Sequence, residues 1–362
     1  MDLMSGTYSY ETLQSKYKNF TVPAAKLLIG GSDVLGIPQI TVSSLSVSLS
    51  LNAAGSATFS MNGSYDYKNS SFDQKLKSKA VLGKPVEVEL GYGSDCLKVF
   101  KGFLASLDID FDVENGISYS VTAFDARYLM MTDNKRVVNH KVTKNYSEAV
   151  DEILKRYSKL CKPEVDATND HLENAVLAQN SSDYDFIMRD LIGSGKTDRE
   201  FFIVGDRVYF RKPRGSKTAV LKLGIGKGLK SFRRSPVYLN QKIRFLGREE
   251  GNSQQISGEA LAKSKDEQVS ALSDAGLYVE TAADCRSADQ LRQRAENRAA
   301  EQRDRNNKAS AMTVGLPELV PGRYVQIDGV DKSVDGKYYV TSLTHSYSPG
   351  GFTTSLELEG GT

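Results

Sequence analysis

The feature that most constrains the fold is a series of short segments in which apolar and polar residues alternate. In residues 40–51, serines separate Val42, Leu45, Val47 and Leu49. Such alternation is typical of a strand with one buried and one exposed face. With Gly-bearing turns between them, these segments predict a closed or sandwiched antiparallel unit. The other segments are 26–29, 86–90, 96–103, 109–113 and 117–123, and a long polar loop with one helical turn is expected at 62–78.

The pattern changes after Asp125. Asn145 stands three residues before Glu148, which predicts a capped helix reaching about residue 160. A second helix is expected from Ser182 to Gly193, where the glycine ends it. Segments 201–204 and 207–211 flank Gly205-Asp206, a recognised hairpin turn. The middle of the chain is therefore predicted to be α/β.

Alternating strands resume at 219–223, 229–232 and 242–246, and again at 310–314, 323–327, 337–345 and 352–358. Between the two groups, Ser287 and Gln290 form a capping box for a helix to about residue 306. Its predicted buried side is small, and its other faces are charged, as on a solvated helix. That side consists of Ala288, Leu291, Ala295 and Ala299.

These patterns predict a mainly β fold with α+β parts, in which an α/β domain joins two antiparallel β-barrel domains. The expected ranges are an arm at 1–22, a first barrel at 23–128, a middle domain at 129–228 and a second barrel at 229–362. The second barrel is expected to hold a helical insertion at about 257–308. The two strand units are similar in size, but no sequence repeat is visible between them, and a structural repeat is left open.

Composition narrows the class of protein. Lys and Arg number 47 against 45 Asp and Glu, so the net charge of +2 provides no overall field for nucleic acid or anionic lipid. No secretory signal or membrane-spanning run is visible. Three widely spaced cysteines, Cys96, Cys161 and Cys285, favour thiols in a reducing compartment over a disulfide framework. We therefore expect synthesis and assembly in a cytoplasm, without nucleic-acid recognition or membrane insertion.

Two glycine-rich stretches resemble nucleotide-binding loops but are interpreted as turns. Residues 193–197 resemble the end of a P-loop, yet Asp190 occupies the position of its first glycine, and a helix precedes the stretch where a strand is required. Residues 224–228 lack the dinucleotide-binding spacing and a following helix. Neither stretch predicts a cofactor.

Asp108, Asp110 and Asp112 resemble the start of a calcium loop, but Val113 stands where that loop needs glycine. Their alternation with apolar residues predicts the exposed face of a strand. The three histidines, at positions 140, 171 and 345, are far apart and lie in no zinc signature. No catalytic, cofactor or metal residue is predicted, and the chain is not expected to be an enzyme.

Several stretches, in order, resemble the phage late control protein D family, which comprises tail hub proteins and the hub part of type VI secretion spikes. Residues 86–93, 99–103 and 121–125 are similar to its first barrel, and 182–186 with 208–210 to its middle domain. Residues 229–232 and 243–247 resemble the start of its second barrel, and 320–323 and 338–345 its closing strands.

This resemblance implies two tail-tube-like barrels on one chain and a homotrimer that joins a hexameric tail tube to a trimeric central spike. Baseplate wedge proteins and the tape measure protein are further implied partners, and the implied location is the tail baseplate of a contractile phage or phage-tail-like particle. Because the sequence ends at Thr362, after the second barrel, the spike is expected on a separate chain. Polar strand faces, including Asp108, Asp110 and Asp112, are expected to line a channel.

Two alternatives remain from the sequence. One is a tail-associated peptidoglycan hydrolase, because acidic residues are abundant even though no pair stands out. The other is a strand-rich tail module that binds a receptor or glycan.

Overall fold

The computed structural model describes residues 3–112, 116–132, 137–168, 170, 172, 174–194, 196–215, 217–249, 254–264, 274–282, 285, 287–348 and 350–360. Strands make up 51% and helices 19%, which confirms the mainly β class with α+β parts. No helix in these ranges has the length and apolar character needed to cross a bilayer.

The strands are β1 Pro23–Ile29, β2 Ser32–Asp33, β3 Thr41–Ser50, β4 Ser56–Gly63, β5 Tyr65–Asp66, β6 Ser71–Phe72, β7 Pro85–Tyr92, β8 Asp95–Asp112, β9 Gly116–Phe124, β10 Val138–Val142, β11 Lys162–Val165, β12 Ala175–Gln179, β13 Glu200–Val204, β14 Arg207–Arg211, β15 Ala219–Gly224, β16 Leu229–Pro236, β17 Asn240–Arg248, β18 Gln255–Lys263, β19 Gly276–Thr281, β20 Asn307–Val314, β21 Tyr324–Asp328, β22 Gly336–Ser348 and β23 Gly351–Gly360. The helices are α1 Tyr10–Lys16, a 3₁₀ turn Lys18–Phe20, α2 Gln74–Lys79, α3 Ala126–Thr132, α4 Ser147–Lys155, α5 Asp183–Asp185 with a π-helix Phe186–Gly193, and α6 Ala288–Arg305.

The two predicted strand units are two copies of one arrangement. The first has the order β3-β4-β9-β8-β7-β1 and the second the order β16-β20-β23-β22-β21-β15. Taken along the chain, each strand of the first unit has a counterpart at the same place in the second. One difference is that β1 is antiparallel to β7, whereas β15 is parallel to β21. The structural repeat that the sequence left open is therefore present.

The two units are not separate barrels. Strand β22 of the second unit pairs antiparallel with β3 of the first, so that thirteen strands of the described residues form one curled sheet. One apolar core runs beneath both units, from Leu45, Val47 and Leu49 in β3 to Leu343 in β22. The alternation predicted for β3 is confirmed at these positions, which are at most 2% exposed. Pairing β3 with β22 satisfies two strand edges that two separate open sheets would expose.

Several strand predictions were incomplete. Strand β4 was missed, although Ala57, Phe59 and Met61 alternate with polar residues and are buried. The segments predicted at 96–103 and 109–113 belong to one continuous strand, β8, as far as Asp112, and Val113 lies outside the described residues. The expected loop at 62–78 contains its predicted helical turn, the start of α2, and also the short strands β5 and β6, which were not predicted. The remaining predicted strands are present with slightly different ends.

The middle region is α/β, as predicted. Strands β11, β14 and β13 form one small sheet and β10 and β12 another, with helices packed against them. Ser182 caps its helix by accepting a hydrogen bond from the Asp185 N–H, and the hairpin turn at Gly205 is present with a φ of 59°. The prediction of Asn145 as an N-cap was wrong, because α4 starts one residue later with Tyr146 in that position.

A buried ion pair lies where the first unit meets the middle region. Asp125 and Arg127 are 1% and 0% exposed, and their closest side-chain atoms, Oδ2 and Nη2, are 2.9 Å apart. Asp125 also accepts hydrogen bonds from the backbone N–H groups of Gly55 and Arg127 at 2.7 and 2.8 Å. Arg127 Nη1 donates to the Ser50 carbonyl at 2.9 Å, at the end of β3. Both charges are therefore held by partners within the protein.

The N-terminal segment is anchored to the second unit. Helix α1 was not predicted, and its Leu13, with Tyr17 just after it, is buried in the common core. Buried Arg323 donates hydrogen bonds to the carbonyls of Leu3 and Gly6 at 3.1 and 2.8 Å. Tyr17 donates to buried Glu318 at 2.6 Å. These contacts hold the N-terminal segment against the second unit and the common core.

The predicted helical insertion is an α/β unit of its own. Strands β18, β17 and β19 form a separate sheet that α6 covers, so residues 242–246 belong to the insertion and not to the second barrel. The capping box of Ser287 and Gln290 is confirmed. Leu291, Ala295 and Ala299 are buried as predicted, whereas Ala288 is exposed. The alternation expected of a strand is not clear in β18 and β19, because their exposed positions hold apolar as well as polar residues.

Replacing Gly258 in β18 by alanine is expected to destabilise the insertion. A Cβ atom there would lie 2.1 Å from the backbone N of Arg292 in α6. Because the clash is with a backbone atom, no change of side-chain rotamer can relieve it. We expect a loss of about 1–3 kcal/mol, as for other overpacked sites. Gly276→Ala is the matched control, because its nearest contact is 3.9 Å away. Hydrogen exchange of β17 and β18 measures the effect, and equal protection in the two variants would contradict the prediction.

Candidate assembly surface

The outer face of the sheet is covered by short hydroxyl side chains. In β3, β4, β9, β22 and β23 most of the residues that alternate with the core are serine or threonine, and they are half-buried or exposed; Glu357 and Glu359 continue the same side of β23. We call these residues the polar face. Its members are Ser46, Ser48, Ser50, Ser56, Thr58, Ser60, Ser118, Ser120, Thr122, Ser342, Thr344, Ser346, Thr353 and Ser355. The serines that were interpreted only as the exposed side of one strand therefore form a surface that spans both units.

The polar face is continuous across the seam between the units. Ser342, Thr344 and Ser346 of β22 stand opposite Ser50, Ser48 and Ser46 of β3. Thr344 and Ser48 are hydrogen-bonded through their hydroxyls at 3.0 Å.

His345 lies on the core face of the sheet at the same seam, where it is paired with Val47 and fully buried. Its Nδ1 is 2.9 Å from the Thr354 hydroxyl, and burial lowers the pKa of its imidazole to about 3.

At one end of this surface, the β8–β9 hairpin extends past the core. Asp108 and Asp110 lie opposite Ser120 and Ser118, on the same side as the polar face, and all three aspartates are exposed as predicted. On the other side of β8, Ile109 and Phe111 are 54% and 42% exposed. The Phe111 ring contacts that of Tyr65, with centroids 4.7 Å apart. The hairpin therefore presents one acidic and one apolar side to its surroundings.

Strand β16, the last strand at one edge of the sheet, is basic. Strand β16 has the sequence LKSFRRSP, and Lys230 and Arg233 are exposed. Within the described residues, β16 pairs only with β20, so its second edge carries unpaired backbone groups. An edge of this kind is able to accept another strand. Sequence reasoning missed this feature, because an edge depends on which strands pair and not on the strand's own residues.

The remaining motifs contribute no site. Gly193 is the last residue of the π-helix, as predicted, and Gly195 lies outside the described residues, as does His171. Residues 224–228 form the turn between β15 and β16. Buried His140 contacts Glu152 and Gln179 at 3.1 and 2.7 Å, in a different part of the fold from His345. Among the described residues, no group of three or more His, Cys, Asp or Glu side chains is arranged to hold a metal ion.

The three cysteines are not joined in disulfide bonds. Cys96 is half-buried, whereas Cys161 and Cys285 are buried. Burial raises the pKa of the Cys161 thiol to about 12. A thiol with so high a pKa is a poor nucleophile at neutral pH, which is consistent with a packing role.

Comparison with protein-family models identifies the family of this chain. The family model of the Alg8 N-terminal domain matches residues 20–348. The chain belongs to the Alg8 N-terminal domain family. The matching model is therefore not that of the late control protein D family, and that finer resemblance stays a prediction. The comparison with curated proteins found no match for this member of the Alg8 N-terminal domain family.

Solved structures share the fold of this Alg8 N-terminal domain chain. A tail protein from Neisseria meningitidis has a TM-score of 0.69 and 12% identity, over 94% of this chain and 97% of that one. The 43 kDa tail protein of prophage MuSo2 from Shewanella oneidensis has a TM-score of 0.69 and 14% identity, over 93% and 97%. An E. coli component of the type VI secretion system, described as similar to T4 tail proteins, has a TM-score of 0.55 and 11% identity, over 92% and 76%. At these identities the likeness shows the fold alone.

Proposed function

We propose that this protein is the structural hub of a contractile phage tail or phage-tail-like particle. In this role three copies form a ring in the tail baseplate and join the hexameric tail tube to the trimeric central spike. The fold shared with two tail proteins and a type VI secretion component supports this proposal. Wedge proteins around the ring and a tape measure protein in its channel are the other proposed partners.

The observation that carries the proposal is the internal repeat within one sheet. Each chain presents two equivalent strand units side by side, joined through β3 and β22. Three copies therefore present six units, which allows one ring to match a hexameric tube on one side and a trimeric spike on the other. A chain with a single unit would have no such property.

The polar face suits the wall of a channel in that ring. Serine and threonine hydroxyls keep the surface hydrated, while their short side chains provide no pocket and little charge to hold a passing chain. Asp108 and Asp110 add negative charge at one end of this face. The role proposed for the protein is mechanical, because a rigid sheet transmits force between tube and spike. The proposal assigns no enzymatic activity to the protein.

The mass of the protein in solution tests this function. Light scattering over a concentration series should give about three times the 39.8 kDa chain mass, either alone or once the spike protein is added. Addition of the tube protein should then give a larger complex. A chain that stays monomeric with both partners would overturn the hub. Cleared peptidoglycan in a zymogram of the purified chain would instead indicate a hydrolase.

A further inference from the structure

The two units repeat their hairpins residue by residue. In the β8–β9 hairpin a bulge lies between Leu104 and Ser106, and in the β22–β23 hairpin a bulge lies between Val340 and Ser342. Beyond the bulge, both hairpins continue without a register shift to their tips. Asp108, Asp110 and Phe111 therefore correspond to Thr344, Ser346 and Tyr347.

Strand β16 matches β3 in the same way. Leu45, Ser46 and Ser48 of β3 pair with Phe59, Thr58 and Ser56 of β4. Phe232, Arg233 and Ser235 of β16 pair with Ala311, Ser310 and Lys308 of β20. Because β4 and β20 hold the same place against β9 and β23, Phe232 corresponds to Leu45, Arg233 to Ser46 and Ser235 to Ser48.

These equivalent strands have different partners. The outer half of β22 pairs with β3, residue Ser346 with Ser46 and Tyr347 with Leu45. The outer half of β8, from Ser106 to Asp112, pairs only with β9 in the described part of the chain, and β16 pairs only with β20. One open edge thus corresponds to β22 and the other to β3, although they lie at different places in the same sheet.

We propose that the outer half of β8 in one copy pairs antiparallel with β16 of the next copy, in the register of β22 with β3. This register sets Asp110 opposite Arg233, Phe111 opposite Phe232 and Asp108 opposite Ser235. The inference deepens the proposed hub and rests on it, because a ring of copies is what would bring the two edges together. The partner at both edges is a second copy of this chain.

The chemistry of the two edges is complementary. The β8 edge carries three exposed aspartates, and the β16 edge carries exposed Lys230 and Arg233. Opposite charges that face each other across a strand pair stabilise it, whereas β8 against β8 or β16 against β16 would bring like charges together. The charges therefore favour a head-to-tail contact, the kind that forms a ring when the rotation between successive copies closes.

The apolar side of the contact agrees with this register. Phe111 is exposed although it lies on the core side of β8, where a neighbouring strand would cover it, and Ile109 on the same side would stand opposite Arg234 in this register. Phe232 lies on the core side of β16 and is half-buried against Tyr338, with ring centroids 5.3 Å apart. Pairing in the proposed register brings the Phe111 and Phe232 rings together, as Tyr347 and Leu45 come together within one chain.

Disulfide trapping tests the register. The double variant Asp110→Cys/Arg233→Cys should form covalent oligomers under mild oxidation, because residues directly opposite have Cβ atoms about 4.5–5.5 Å apart. In the matched control, Asp110→Cys/Ser235→Cys, the second cysteine lies two residues out of register. The control and both single variants should give at least about tenfold less product, because the diagonal separation is about 7–8 Å. Equal yields from the two double variants would overturn the register.

Charge reversal tests the contact independently. Asp110→Arg and Arg233→Asp should each raise the concentration at which half the chains are assembled by about tenfold, and Asp110→Arg/Arg233→Asp together should restore it. Asp289→Arg makes the same charge change at a side chain that is 92% exposed on the insertion, and it should have no effect. Circular dichroism checks that each variant is folded.

The outcomes separate this contact from the hub itself. Wild-type trimers with no disulfide trapping and no response to charge reversal would leave the hub standing and overturn the β8–β16 contact. A wild-type chain that stays monomeric with both partners would overturn both proposals.

Discussion

Asp125→Ala is expected to lower the free energy of unfolding by about 3–5 kcal/mol, because it leaves the Arg127 guanidinium charged and buried without its counter-ion. Arg127 is completely buried and has its carboxylate partner at 2.9 Å. The variant also leaves the Gly55 N–H without the acceptor that it has at 2.7 Å. Urea unfolding followed by circular dichroism measures the loss.

The double variant Asp125→Ala/Arg127→Met is the control for this ion pair. It removes both charges while keeping an apolar side chain of similar length, so it should be more stable than Asp125→Ala alone. If the double variant is less stable than Asp125→Ala by the full cost of Arg127→Met, the two residues do not act as a pair, and the prediction fails.

Acid is expected to weaken the protein through His345. Burial lowers the pKa of this imidazole to about 3 from an ordinary value of 6.5. Below pH 6.5 the unfolded chain binds a proton that the folded chain does not bind until about pH 3, so the stability that is present at neutral pH is lost as the pH falls through this window. The loss is about 1.4 kcal/mol per pH unit, or about 3 kcal/mol at pH 4.5.

His345→Leu isolates this contribution from that of the carboxyl groups. The variant keeps an apolar side chain at the seam, and the Thr354 hydroxyl retains the hydrogen bond that it accepts from the Leu316 N–H at 3.1 Å. Urea unfolding at pH 7 and pH 4.5 should show a smaller difference for His345→Leu than for the wild type. Equal differences would mean that His345 does not bind its proton as expected.

Local patterns in the sequence predicted much of the fold. Alternation located most of the strands, the Ser287–Gln290 capping box located α6, and the Gly205-Asp206 turn located a hairpin. These features are set by residues close together in the chain. The pairing of β3 with β22 joins residues about three hundred positions apart, and no local pattern encodes it. The sheet of the insertion was missed for a different reason, because β18 and β19 carry apolar residues at exposed positions and so lack a clear alternation.

The candidate surface was predicted only in part. Asp108, Asp110 and Asp112 were expected on an exposed strand face, and the structure confirms this. Arg233 was not singled out, because a basic residue on a strand is common and only the topology shows that β16 ends the sheet. The role of the polar face as a channel wall stays a proposal.

The position of the insertion has a consequence for variation and engineering. Pro236 at the end of β16 is paired with Asn307 at the start of β20, so the whole α/β insertion occupies the place of a hairpin loop. In the first unit, the chain between the equivalent strands β3 and β4 is only residues 51–55. The sheet has therefore accommodated an entire folded unit at this loop without losing its register. This loop is the natural place to exchange the insertion for a short turn, or to graft a foreign domain onto the protein.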